Sequence, residues 1–134
     1  MERPSWNDYF KQIVQCTSSR SPCHRLKVGC ILVKDNRIIS QGYNGFISGH
    51  PHNSVIMNDH EIATIHAEQN AIIDCAKRGV NCENATAYIT HFPCINCLKF
   101  LVQAGISKIY YINDYKNDVE IINKLGINIE INKI

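Results

Sequence analysis

Four side chains in this sequence have the types and spacing to do chemistry together. Cys94 and Cys97 stand three apart in "PCINC", directly behind Pro93, and His66 and Glu68 stand two apart in "IHAEQN". A C-x-x-C pair by itself supports three chemistries: a thioredoxin-like redox couple, half of a structural zinc knuckle, or part of a catalytic metal site. An isolated His66 reads as an inert, hydrogen-bonded histidine. An isolated Glu68 reads as a first-turn acid that favours the helix dipole.

Spacing separates these readings. In the middle of a helix, residues i and i+2 face nearly opposite ways, so His66 and Glu68 converge on one point only at a helix tip. Cys94 and Cys97, at i and i+3, share a face at a helix start, where backbone N–H groups favour thiolates. One imidazole and two thiolates suit zinc, and three protein ligands leave a fourth position for water, the arrangement of a catalytic zinc. Glu68 is the acid left over to move that water's proton. H-x-E with P-C-x-x-C is the pattern of zinc deaminases that act on nucleobases. A redox pair would leave His66 and Glu68 unexplained.

The elements must bring the two motifs together. "SWNDYFKQIVQC" has apolar residues near helical spacing behind the capping residue Ser5. "KVGCILVK" and "RIISQGY" are β-rich and meet at Asp35-Asn36, which predicts an antiparallel hairpin. Asn44 to Asp59 reads as a long loop. "TIHAEQNAIIDCAKRG" predicts a helix with Ala67, Ala71, Ile72, Cys75 and Ala76 on its buried stripe and Gly79 as its stop. "ATAYIT" is a strand, and "PCINCLKFLVQAG" a helix with Pro93 at its entry and Gly105 at its exit. "KIYYIN" is a strand. "NDVEIINKLG" is a helix with Asn117 and Glu120 at capping-box spacing, and "INIEI" is the last strand. Strands alternating with helices imply an α/β layered fold with parallel later strands, whose helix starts gather near the carboxyl edge of the sheet.

Composition bounds the partners. The 134 residues fit a single domain, 1–134, with 45% hydrophobic and 19% charged residues. A net charge of +2 disfavours a long nucleic-acid footprint. The start "MERPSWNDYF" has no apolar signal core, and no apolar run approaches the ~20 residues that span a bilayer. With seven cysteines, an odd number, this points to a reducing, cytoplasmic compartment. Cys16, Cys75 and Cys82 are expected to fill apolar space.

The segments "VGCILVKDNRIISQGYNG", "IHAEQNAI", "YITHFPCINC" and "GISKIYYINDY" resemble, in that order, the deoxycytidylate (dCMP) deaminases. "GYNG" after the hairpin is the most discriminating part. The resemblance implies a three-layer α/β/α cytidine-deaminase-like fold on a mixed five-stranded sheet. It implies zinc held by His66, Cys94 and Cys97, with Glu68 shuttling protons, and hydrolysis of dCMP to dUMP and ammonia, supplying dUMP for thymidylate synthesis. It further implies that Asn44 helps hold the nucleotide, that Arg25, His60 and Tyr115 serve its sugar-phosphate end, and that the protein is a homo-oligomer, up to a hexamer. Activation by dCTP and inhibition by dTTP belong to the same resemblance. The family continues G-Y-N-G with x-P-x-G, and here Ile47 stands in place of the proline.

The residues agree in part: Arg20, His24, Arg25 and Lys27 form a small basic cluster that suits one phosphate rather than a polymer. The resemblance also admits a second, structural zinc on Cys23, His24, His50, His52 and His60, since some relatives carry one there, but the simpler reading is loop histidines, with His60 serving the substrate. His91 is given no role. The alternatives are a deaminase of another small cytosine compound, an RNA- or DNA-editing deaminase, and a non-enzymatic zinc scaffold.

Overall fold

The computed structural model describes residues 2–134. Helix α1 spans Trp6–Ser18, and the Ser5 hydroxyl accepts the Asp8 N–H at 3.1 Å as its cap. Strands β1 (Gly29–Lys34) and β2 (Arg37–Tyr43) form an antiparallel hairpin. Its turn residues Asp35 and Asn36 both have positive φ, the conformation a two-residue turn needs to match strand twist. The predicted hairpin is therefore present.

The expected long loop, Asn44 to Asp59, is instead partly ordered into strands. Strand β3 (Gly45–Phe46) pairs with β6 (Thr64–Ile65), and β4 (Ile56–Met57) pairs with β5 (His60–Glu61). These two-residue pairs have no hydrophobic alternation for a sequence pattern to reveal. What holds the outer pair is the Glu61 carboxylate, which accepts the Ser54 hydroxyl and the N–H of Val55 (2.8 Å).

Helix α2 runs Ala67–Arg78, three residues later than the expected start, because Thr64 and Ile65 are taken by β6. Gly79 closes it in the left-handed conformation, as its sequence position predicted. Strand β7 (Thr86–His91), helix α3 (Ile95–Gln103), strand β8 (Lys108–Asn113), helix α4 (Val119–Lys124) and strand β9 (Glu130–Lys133) follow. The last strand starts three residues later than "INIEI" predicted, sharing Glu130 and Ile131 with it. The Asn117–Glu120 capping box does not form, since Asp118 is the N-cap and makes no side-chain cap bond.

The main sheet has the order β2-β1-β7-β8-β9. Strand β1 is antiparallel to both neighbours, and β7, β8 and β9 are mutually parallel. Alternation along β1 sorts the two faces: Cys30 and Leu32 join Ala67, Ala71, Cys75, Ile89 and Leu98 on one side, while Ile31 and Val33 join Phe10, Val14 and Tyr88 on the other. Helix α1 thus covers one face and α2 and α3 the other, giving the expected three layers, α/β/α. Two assignments differ. Ala76 and Cys16 are exposed, whereas Cys75 and Cys82 are buried. Among the described residues, no helix is long and apolar enough to cross a membrane.

Strand β2 carries a bulge at Ile39, which has no partner between the pairs Leu32–Ser40 and Val33–Ile38. Its carbonyl accepts the Arg78 guanidinium at 2.7 Å. Asp74 in turn holds Arg78 at 2.6 Å and accepts the buried Ser40 hydroxyl at 2.8 Å. This chain of contacts fastens α2 to the sheet edge and so fixes the helix that presents His66 and Glu68.

Candidate active site

His66 is the N-cap of α2, with extended backbone (φ −69°, ψ 155°), so its side chain leaves the helical direction. The Gln69 side chain accepts its N–H at 3.1 Å and locks that exit. Cys94 is the N-cap of α3 in the same conformation (φ −65°, ψ 163°), and its sulfur accepts the Cys97 N–H at 3.4 Å. Both tips meet at one end of the sheet. His66 Nδ1 lies 3.6 Å from Cys94 Sγ and 3.2 Å from Cys97 Sγ. Among the described residues, this is the only group of three histidine, cysteine or carboxylate side chains whose ligand atoms all fall within 4.8 Å of one another.

The spacing can be tested against zinc. With Zn–S about 2.3 Å and Zn–N about 2.0–2.1 Å, a tetrahedral centre puts sulfur and nitrogen roughly 3.5 Å apart. The two measured separations bracket that value, so the donor set and the geometry fit zinc with Nδ1 as the imidazole ligand.

Glu68 begins the first turn of α2 beside this cluster and is only 4% exposed. Burial pushes its carboxyl up to about 7, and the Cys94 charge adds to the rise. Cys94 is drawn down to about 4, chiefly by its contact with Cys97 and then by His66, while the same contact and burial push the Cys97 thiol up. The metal-free cluster therefore holds one thiolate readily and resists a second. A bound divalent cation removes that resistance, because a coordinating thiol is deprotonated outright.

The surrounding frame is tight. An added Cβ on Gly42 would lie 2.5 Å from the Ala67 carbonyl oxygen and 2.6 Å from the Ala71 nitrogen, so glycine is what lets β2 reach the first turn of α2. Asn70 binds the Tyr43 carbonyl at 2.9 Å. Gly45 pairs with Ile65, which sets Asn44 beside the His66 turn.

A model of the cytidine and deoxycytidylate deaminase zinc-binding region matches residues 4–113. The chain belongs to the cytidine and deoxycytidylate deaminase family. The deaminase is 44% identical over 137 residues to ComE operon protein 2 of Bacillus subtilis, covering 97% of this chain and 72% of that one. It is 37% identical over 128 residues to the deoxycytidylate deaminase of Saccharomyces cerevisiae, covering 88% of this chain but spanning only 41% of the yeast enzyme. Its fold superposes on the dCMP deaminase of cyanophage S-TIM5, solved in complex with dCMP and dUMP, with a TM-score of 0.85, 32% identity and all of both chains covered. Zinc is the metal of this family, and the deaminase is a hydrolase.

The remaining expected site residues are placed unequally. Asn44 is half-buried, and its side chain is engaged with the backbone of the segment before β1, accepting the Val28 N–H and donating to the Leu26 carbonyl, both at 2.8 Å. Arg25 is exposed on the segment that Asn44 holds. Tyr115 is exposed and stands edge-on to His91 with ring centres 6.1 Å apart. His60 is exposed in the β4–β5 hairpin, and among the described residues no hydrogen bond or ring contact joins it to the cluster. His91, given no role from the sequence, has a polar neighbour in Thr90, which the sequence did not single out. Thr90 Oγ1 accepts the Gly29 N–H at 3.0 Å and lies 2.8 Å from His91 Nδ1. A threonine at the end of a buried strand, next to a histidine, was the available signal.

Proposed function

We propose that this deaminase converts dCMP and water to dUMP and ammonia. The observation that carries this reading is the meeting of His66, Cys94 and Cys97 with the buried Glu68 at two helix tips. In this reading His66, Cys94 and Cys97 hold the zinc, which when bound polarises water and lowers its pKa toward neutrality. Glu68 takes the proton from that water and delivers it to the ring nitrogen beside the carbon that carries the amine. Once the hydroxyl has added to that carbon, Glu68 takes its remaining proton and passes it to the amine, which leaves as ammonia as the C–N bond breaks and the C=O bond forms. A carboxyl with a pKa near working pH suits both transfers. Burial of Glu68 keeps bulk water from competing for its proton.

The phosphorylated substrate is favoured by the cations Arg25 and Lys27, which form no ion pair among the described residues, and by the dCMP and dUMP held in the S-TIM5 relative. Asn44, Arg25, His60 and Tyr115 are assigned to the nucleotide, with Asn44 next to the catalytic tip and Arg25 on the phosphate side. One domain, 1–134, carries all of these groups. The reading extends to a homo-oligomer, up to a hexamer, with dCTP and dTTP as effectors, and to a reducing, cytoplasmic setting that suits seven unpaired cysteines. The exposed apolar side chains Ile73 and Phe100, on α2 and α3, support self-association.

Ammonia release from dCMP, CMP, deoxycytidine and deoxyadenosine tests the substrate. The expected order places dCMP first, with deoxycytidine at least about tenfold slower in kcat/KM, since a charge-assisted phosphate contact contributes roughly 1.5–3 kcal/mol. Preference for deoxycytidine would reassign the enzyme to unphosphorylated compounds. Adding dCTP and dTTP to the same assay reads the effector response.

A further inference from the structure

The segment Ser21–Val28 joins α1 to β1 without regular structure, yet it carries three of the four basic residues of the cluster. Its shape comes from one residue. Asn44 donates its backbone N–H to the Val28 carbonyl at 3.2 Å, accepts the Val28 N–H on Oδ1, and donates from Nδ2 to Leu26. Those bonds hold one foot of the segment. The other foot hangs on Ser21, whose hydroxyl donates to the Asn44 carbonyl at 2.7 Å and accepts the Cys23 N–H at 3.2 Å. Ser21 is 3% exposed, and Pro22 packs its ring over Gly45, 3.4 Å from where a Cβ there would stand. His24, Arg25 and Lys27 form the exposed crest between the two feet. Because Gly45 pairs with Ile65, both feet are referred to the strand that leads directly into His66.

We propose that Ser21 is a positioning residue for the phosphate end of the substrate, acting through Asn44 on the crest that carries Arg25. This inference rests on the nucleotide reading given above. A crest pinned at both feet presents its cations in one place, so little ordering entropy is lost when an anion binds. Freeing the Ser21 foot leaves the cations present but mobile. Ser21 itself touches no substrate, so the chemistry at Glu68 and zinc is unaffected.

Steady-state kinetics of the zinc-loaded enzyme test this. Ser21→Ala is expected to raise KM for dCMP about tenfold, the scale of one lost buried hydrogen bond with its ordering effect, while kcat stays within about twofold. The kcat/KM for deoxycytidine should not change. Arg25→Ala should also raise KM for dCMP, and adding Ser21→Ala to it should raise KM no further, because both act on one crest. Ser21→Cys keeps the size and a weaker donor, so it should fall between wild type and Ser21→Ala. That variant also serves if Ser21→Ala loses zinc or unfolds. An equal loss on dCMP and deoxycytidine, a fall in kcat at constant KM, or additive effects of Ser21→Ala and Arg25→Ala would each overturn the inference. If Arg25→Ala leaves KM for dCMP unchanged, the crest does not meet the phosphate and the inference falls. The deaminase reading is judged separately, by whether the wild-type protein turns over dCMP.

Discussion

Glu68→Gln is expected to bind zinc fully and to lose turnover, with kcat for dCMP falling about 10²–10⁴-fold, the range for removing a general acid–base group. The variant tests chemistry rather than folding. Glutamine has the same shape, and the site already disfavours charge there, since burial holds the Glu68 carboxyl near 7. No proposed ligand atom changes, because the donors that meet are Nδ1 of His66 and the sulfurs of Cys94 and Cys97. Metal analysis and initial rates on the same preparation separate the two properties. Near-normal kcat in a fully loaded variant would remove Glu68 from the mechanism.

The second large effect is expected at the thiols. Cys94→Ser or Cys97→Ser should lower zinc affinity by more than the about 10–100-fold that follows loss of an outer-shell partner. Deamination should vanish with the metal. The two variants should differ in stability: Cys97, within α3, is fully buried, and Cys94 is half-exposed. A hydroxyl at Cys97 is therefore buried away from water and should lower the melting temperature more than one at Cys94. The coupled loss also excludes redox work, since a dithiol couple would leave deamination unchanged in these variants. Retained zinc with lost activity in both would mean that the cysteines act by some route other than ligation.

The catalytic cluster was the most legible part of the sequence. A histidine and a glutamate two apart must sit at a helix tip to converge, and His66 is indeed the extended N-cap of α2. The thiols needed a second tip at the same sheet edge, and the parallel strands β7 and β8 supply it. The period-2 pattern of β1 and the caps at Ser5 and Gly79 were equally readable, because each is a local signal.

What escaped was non-local. Nothing in "GYNG" says that the asparagine amide would be occupied by Val28 and Leu26, sixteen and eighteen residues upstream. The pairs β3–β6 and β4–β5 are too short to alternate and are held by cross-loop bonds such as those to Glu61. Ala76 fits a helical stripe on paper, but the sheet meets α2 along Ala67, Ala71 and Cys75 and leaves Ala76 in solvent. Tertiary placement, not propensity, decided each of these.

The central claim is that one zinc, held by His66, Cys94 and Cys97, makes this protein a dCMP deaminase. Titrating zinc into the metal-free protein while measuring dUMP formation from dCMP tests it most directly. The account predicts a rate that rises in proportion to bound zinc and levels off at one equivalent per chain. Deamination that is independent of zinc, a plateau at two equivalents, or a fully loaded protein that leaves dCMP unchanged would contradict it.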